Sequence, residues 1–169
     1  ISSIALSKTT YDYTGKVITP SVKIKNVYGE SLKKDRDYTV KYSSGRKNYG
    51  KYTVTVTFKG NYSGTKKLTF EIVPAKVTFS KLTAGSKALT ATWKSVSGAT
   101  GYEVQYSTSK KFTKKTTKTV TIKKAKTNKT TIKKLSKGKT YYVKVRAYKT
   151  VGKTKIYSAW SSVKTVKVK

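Results

Sequence analysis

The chain has 169 residues, with 39 Lys+Arg against 6 Asp+Glu, a formal net charge of +33, and no His, Cys or Met. Without Cys and His there is no thiol nucleophile, disulfide, Cys/His zinc site, histidine acid–base pair or histidine haem ligand, which removes most enzyme chemistry. The hydrophobic fraction of 36% is low, yet 14 Tyr, 4 Phe and 2 Trp supply the bulk for two small cores and argue against wholesale disorder.

Read from the start, Ile1-Ser2-Ser3-Ile4 carries no basic head before an apolar run, so an excised fragment or a mature chain is expected. No stretch approaches the roughly 18 apolar residues of a membrane span. Tyr52, Val54, Val56 and Phe58 alternate with Thr53, Thr55 and Thr57, the period of a half-buried strand. The run Leu68-Thr69-Phe70-Glu71-Ile72 alternates likewise and meets Val73-Pro74-Ala75, where proline cannot donate to a ladder, so a strand ends there. Charge changes at the same place: residues 1–74 carry 14 basic and five acidic side chains, whereas 75–169 carry 25 basic and only Glu103. Two domains are expected, 1–74 and 75–169.

The second half predicts seven strands, near 76–82, 88–95, 101–107, 116–124, 129–134, 140–149 and 158–168. Leu89, Ala91 and Trp93 share one face, as do Tyr102, Val104 and Tyr106, and Val120 and Ile122; with the Tyr141, Val143, Val145, Ala147 row they form the expected core. Turn signals such as Thr14-Gly15, Ser44-Gly45, Gly60-Asn61, Ser97-Gly98 and Lys137-Gly138 recur at sandwich spacing, and no window shows an apolar helical stripe. The fold class is all-β: two tandem antiparallel β-sandwiches.

Trp93 as a core tryptophan, Tyr102-Glu103-Val104-Gln105-Tyr106 as the strand after it, Leu135-Ser136-Lys137-Gly138-Lys139-Thr140-Tyr141 as a leucine-to-tyrosine corner and Ser158-Ala159-Trp160-Ser161 as the entry to a last strand resemble a fibronectin type III domain. The family's usual proline before the corner glycine is Lys137 here. Through Tyr11-Asp12-Tyr13-Thr14-Gly15-Lys16, Asp37-Tyr38-Thr39-Val40 and Gly60-Asn61-Tyr62-Ser63-Gly64-Thr65, the first half resembles the immunoglobulin-like repeats of bacterial surface and secreted proteins. The pairing implies an extracellular or cell-surface segment of a larger Gram-positive protein, flanked by further domains of that parent.

Six carboxylates are the only catalytic candidates. Asp35 and Asp37 lie two apart among Lys33, Lys34 and Arg36, where a turn held by local charge pairing is the better reading, and two side chains are too few for calcium. No enzyme activity, cofactor or metal is therefore expected. An internal Lys–Asn amide cross-link would need a buried carboxyl beside the pair, and carboxyls are scarce; an intact mass lower by one ammonia would reveal it.

Positive charge is the strongest chemical feature: 13 lysines fall between Lys110 and Lys139, interleaved with threonine. Lysine draws phosphate, sulfate or carboxylate polymers without the bidentate geometry of arginine, and no recognition helix, zinc finger or aromatic RNA-binding signature points to sequence-specific nucleic-acid reading. Outward lysine also blunts sheet edges and keeps a tyrosine-rich β protein soluble. A spacer of two modules, each about 25–40 Å long on a rise of roughly 3.3 Å per residue, is the leading expectation. Binding to an anionic wall polymer, such as teichoic acid, or to acidic or sulfated glycans is the alternative. For binding, alternation sends Tyr142, Lys144, Arg146 and Tyr148 outward along one strand, two aromatics flanking two cations, and Lys123 and Lys124 of the lysine run join them as ligand-binding candidates. Packing of tyrosine against lysine stems is the plainer reading of the same four residues.

Overall fold

The Thr/Val/Tyr alternation becomes strand throughout: in a computed structural model describing residues 1–169, fourteen strands and no helix are present. The backbone divides into two units, Ile1–Val73 and Pro74–Lys169.

In the first unit, β1 (Ser3–Leu6) pairs antiparallel with β3 (Val22–Lys25), and the other sheet has the order β2 (Thr10–Asp12), β6 (Thr65–Val73), β5 (Gly50–Phe58), β4 (Tyr38–Tyr42). β6 stops at Val73, before the proline. One pairing departs from the antiparallel expectation: β2 runs parallel to β6, Tyr11 beside Ile72. Three residues carry the chain from β1 in one sheet to β2 in the other, so β2 continues that strand instead of folding back on it. Val54 and Val56 of β5 are fully buried with Phe70 and Ile72 of β6, and Ile24 and Leu32 close the core from the facing side. Each such side chain contributes about 1.5–3 kcal/mol relative to exposure.

The second unit packs a three-stranded sheet on a five-stranded one. The first has the order β11 (Lys129–Ile132), β8 (Ala88–Trp93), β7 (Phe79–Gly85). The second has the order β10 (Thr117–Ile122), β9 (Gly101–Ser107), β12 (Thr140–Val151), with β13 (Thr154–Tyr157) and β14 (Lys164–Lys167) both on the far side of β12. Leu89, Ala91, Trp93, Tyr102, Val104, Val143, Val145 and Ala147 are buried between the sheets, as alternation requires, and the Trp93 and Tyr102 rings lie 5.3 Å apart. The Tyr102 hydroxyl accepts from the Val96 amide at 2.8 Å and donates to the Ala125 carbonyl at 3.2 Å, tying two loops to the core. At the leucine-to-tyrosine corner, Leu135 and Tyr141 are both buried, and the Tyr141 hydroxyl accepts from the Ser136 amide at 3.2 Å.

Two expectations are corrected here. The first predicted strand of this half, 76–82, lies at Phe79–Gly85. The last, 158–168, is no single strand: β13 ends at Tyr157 and β14 begins at Lys164. Between them Ser158 and Ser161 hold the β12 edge in another way. Each donates its own amide to β12, at Ala147 and Val145, and offers its hydroxyl oxygen to the amide of the same residue, at 3.0 and 2.9 Å. A side-chain oxygen thus takes the place of the backbone carbonyl that a regular ladder would supply, which satisfies two buried amides while the chain kinks.

Candidate functional site

The outer face of β12 carries the residues singled out for binding. Tyr142, Lys144 and Arg146 lie half-buried on that face, with Val143, Val145 and Ala147 turned into the core. Tyr148 does not follow them. It is 2% exposed, because its cross-strand neighbour is Gly101, whose missing side chain leaves room for the phenol to lie over the end of β9 and reach the Ile122 carbonyl at 3.4 Å. The outward row expected from alternation therefore has three members. Lys123 and Lys124 are exposed in the loop after β10, and the register through β9 sets this end of β10 level with Ala147, at the opposite end of the sheet from Tyr142. They do not join Tyr142 in one site.

Around Arg146 the residues satisfy one another. Its register partner on β9 is Glu103, 7% exposed and the sole carboxylate side chain of the unit. Arg146 Nε and Nη2 donate to Glu103 Oε2 at 3.0 and 2.7 Å, the Tyr157 hydroxyl donates to Oε1 at 3.1 Å, and Lys155 Nζ lies 3.7 Å from Oε1. The guanidinium stacks on Tyr157 at 3.6 Å and on Trp160 at 4.4 Å from the ring centroids. Lys144 Nζ sits over Trp160 and Phe112 at 4.7 and 4.1 Å, and Lys155 over Tyr148 at 4.3 Å. Cations and rings thus alternate along the sheet, each contact worth about 0.5–2 kcal/mol depending on its desolvation. Burial, and then the neighbouring Arg146 charge, lowers the Lys144 pKa from its ordinary value. Burial, helped by the hydrogen bond to Glu103, raises that of Tyr157, so the phenol stays a donor. Phe112, Lys155, Tyr157 and Trp160 were not legible as partners of this row: Phe112 lies in a loop at positive φ, and Trp160 sits in the kink between β13 and β14.

The acidic pair of the first unit is a turn lock. Asp37 accepts two hydrogen bonds from Arg36, both at 2.8 Å, and one from the Lys33 amide at 2.7 Å, while Asp35 sits at φ 66° in the same turn. The Arg36 hydrogen bonds, followed by the Lys33 amide, hold the Asp37 pKa at about 2, below the ordinary carboxylate value. A carboxyl whose folded pKa is depressed contributes stability that is complete above its unfolded pKa and is lost as pH falls toward the folded one. The first unit should therefore lose stability between pH about 4 and about 2, and Asp37→Asn should flatten that part of the profile; tyrosine near-ultraviolet dichroism during urea melts at each pH is the check. No group of three or more acidic side chains is placed to hold a metal ion.

Comparison with known family profiles agrees with the β-sandwich of the second unit. The family profile described as "Fibronectin type III domain" matches residues 72–164, more than half of the chain. Among solved structures, the chicken CNTN1 FN1–FN3 domains are similar at 15% identity and a TM-score of 0.49, over 72% of this chain and 44% of that one. A structure described as a myokine is similar at 15% identity and a TM-score of 0.46, over 56% of this chain and 97% of that one. This chain thus spans less than half the length of the first of them. No curated protein matches. No helix is long and apolar enough to cross a membrane. Domains of this kind are typically non-catalytic and occur in extracellular or cell-surface proteins, and through residues 72–164 the chain belongs to the fibronectin type III family.

Proposed function

We propose that the chain is a non-catalytic spacer and presentation segment of a larger secreted or wall-associated bacterial protein, its first unit an immunoglobulin-like repeat. The observation that carries this reading is how the second unit uses its polar chemistry. Its one carboxylate side chain is committed to Arg146, Tyr157 and Lys155, and the cations nearest it are already stacked on rings, so these groups stiffen a sheet and none is free for proton transfer. Strands rich in Thr, Val and Tyr without cysteine persist independently of redox conditions. The test is replacement within the parent protein. A neutral, unrelated two-sandwich segment in place of residues 1–169 should preserve the parent's activity on a surface-bound partner, and direct joining of the flanking segments should reduce it. Loss of activity with the neutral replacement would overturn the spacer reading.

A second reading, retention on an anionic wall polymer or acidic glycan, is favoured by one observation: residues 75–169 set 25 cations against a single carboxylate side chain, and that carboxylate is occupied. Tyr142 and Lys144 on the outer face, and Lys123 and Lys124 in their loop, extend the surface on which such a polymer would lie.

A further inference from the structure

The lysine run of the second unit is not spread evenly. At one open side of the sandwich, edge strand β10 of one sheet and the segment following edge strand β11 of the other line a cavity of about 360 Å³. Four of its lining residues are lysines, Lys115, Lys118, Lys133 and Lys134, and its remaining lining includes no acidic side chain. Tyr106, half-buried, and Tyr141, buried, form its inner wall with ring centroids 6.2 Å apart. Ammonium groups around one concavity repel each other and focus a positive potential there, and the unit holds no spare carboxylate side chain to offset it.

Two further features make this a receptive site. The Tyr141 hydroxyl accepts from the Ser136 amide, which leaves its own proton to donate. Burial raises the Tyr106 pKa, so that phenol also stays protonated. Lys134 is held at φ 60°, in the left-handed region that favours glycine or asparagine. The next residue, Leu135, is anchored in the core with its amide bonded to the Lys87 carbonyl at 2.9 Å, and Ile132, two residues before, is buried as well. A lysine kept where glycine would be cheaper is a pattern that recurs at ligand clamps.

Resting on the second reading above, the geometry points to this cavity as the binding site for a polysaccharide that carries sulfate or phosphate esters, one sugar unit lying against Tyr106 and Tyr141 while its ester groups reach Lys115, Lys118, Lys133 and Lys134. The volume suits one ring with its substituent, since small-molecule sites begin at about 300 Å³. The half-buried Tyr106 ring offers apolar surface to sugar C–H groups, the Tyr141 hydroxyl offers a donor at the same wall, and lysines serve tetrahedral oxyanions as point charges. Nucleic-acid readers instead use arginine forks and exposed stacking platforms, which this cavity lacks.

The experiment titrates the full chain with a fluorescent heparin octasaccharide and with poly(glycerol phosphate) at 0.15 M NaCl and at two higher salt concentrations. The cavity variant Lys118→Gln/Lys133→Gln is compared with Lys94→Gln/Lys153→Gln, which removes the same charge from exposed positions of the same unit outside the cavity. The cavity pair should weaken binding about tenfold and lower the salt slope by about one per lysine, whereas the control pair should cost less than about twofold. Lys134→Gly separates binding from folding: it should weaken binding while the melting temperature holds or rises, because the strain at φ 60° is relieved. Preference for the heparin arm or the phosphate arm assigns the ester within the proposal. Equal weakening by the two lysine pairs would overturn the cavity and leave retention by diffuse charge standing. Absence of binding by the unaltered chain at 0.15 M NaCl would overturn both. Equal affinity for a single-stranded oligonucleotide of matched charge would overturn the polysaccharide assignment.

Discussion

Gly101→Ala should unfold the second unit at much lower temperature, by roughly 12–24 °C for a loss of about 3 kcal/mol, the upper end of what overpacking usually costs. The reason is position and not conformation. A methyl group built at Gly101 would lie 2.6 Å from the Tyr148 hydroxyl oxygen and 2.8 Å from Cζ of that ring, and it would collide with the Ile122 carbonyl. The phenol can turn away, but the carbonyl belongs to β10, where Ile122 is in register with Tyr102, and it cannot retreat without breaking the β9–β10 ladder. Adding Tyr148→Phe should therefore recover only part of the loss. Both tryptophans, Trp93 and Trp160, lie in this unit, so their fluorescence follows its melting alone. A melting temperature within about 2 °C of the parent would show that the approach of β10 to β9 is looser than described.

Glu103→Ala should cost the same unit about 3 kcal/mol, the lower end of the range for breaking a buried ion pair, because the Arg146 side chain keeps 24% of its surface exposed and water can partly replace the lost partner. What remains is a guanidinium between two rings with no carboxylate, and a Tyr157 hydroxyl without its acceptor. The pair need not be valuable in itself for this to hold. Glu103→Leu/Arg146→Met, which replaces both charges with apolar side chains, should lie much closer to the parent than either single change does. Tryptophan-detected urea melts of the four proteins measure the coupling, and 1 M NaCl should hardly reduce it, since the pair is screened far less than surface charges are. Additive single and double changes would mean that Arg146 is held by its rings and not by Glu103.

Much of this architecture could be read from the chain without coordinates. Strict alternation at Leu89-Ala91-Trp93, Tyr102-Val104 and Tyr141-Val143-Val145-Ala147 marks the inward faces, since a strand can bury only every second residue. Failures came where a neighbouring strand decides. Tyr148 has the parity of Tyr142, Lys144 and Arg146, yet it is buried because the residue opposite is a glycine 47 positions earlier. Arg146 and Glu103 are 43 residues apart, and only the β9–β12 register makes them partners. Ser158 and Ser161 look like ordinary turn residues until their hydroxyls are seen replacing carbonyls. For the cavity, the run from Lys110 to Lys139 announces charge, but which lysines converge depends on how the β10 and β11 edges meet.

The serine-stapled kink has a consequence for self-association. Chains polymerise into fibres by extending a sheet along a straight, regular margin, and a body this rich in Thr, Val and Tyr has the composition for it. Beyond β12, an incoming copy would find only two four-residue runs, with the stretch between them already spent on serine hydroxyls. Straightening residues 158–163 into one continuous strand would open a template for such growth, and the kink withholds it.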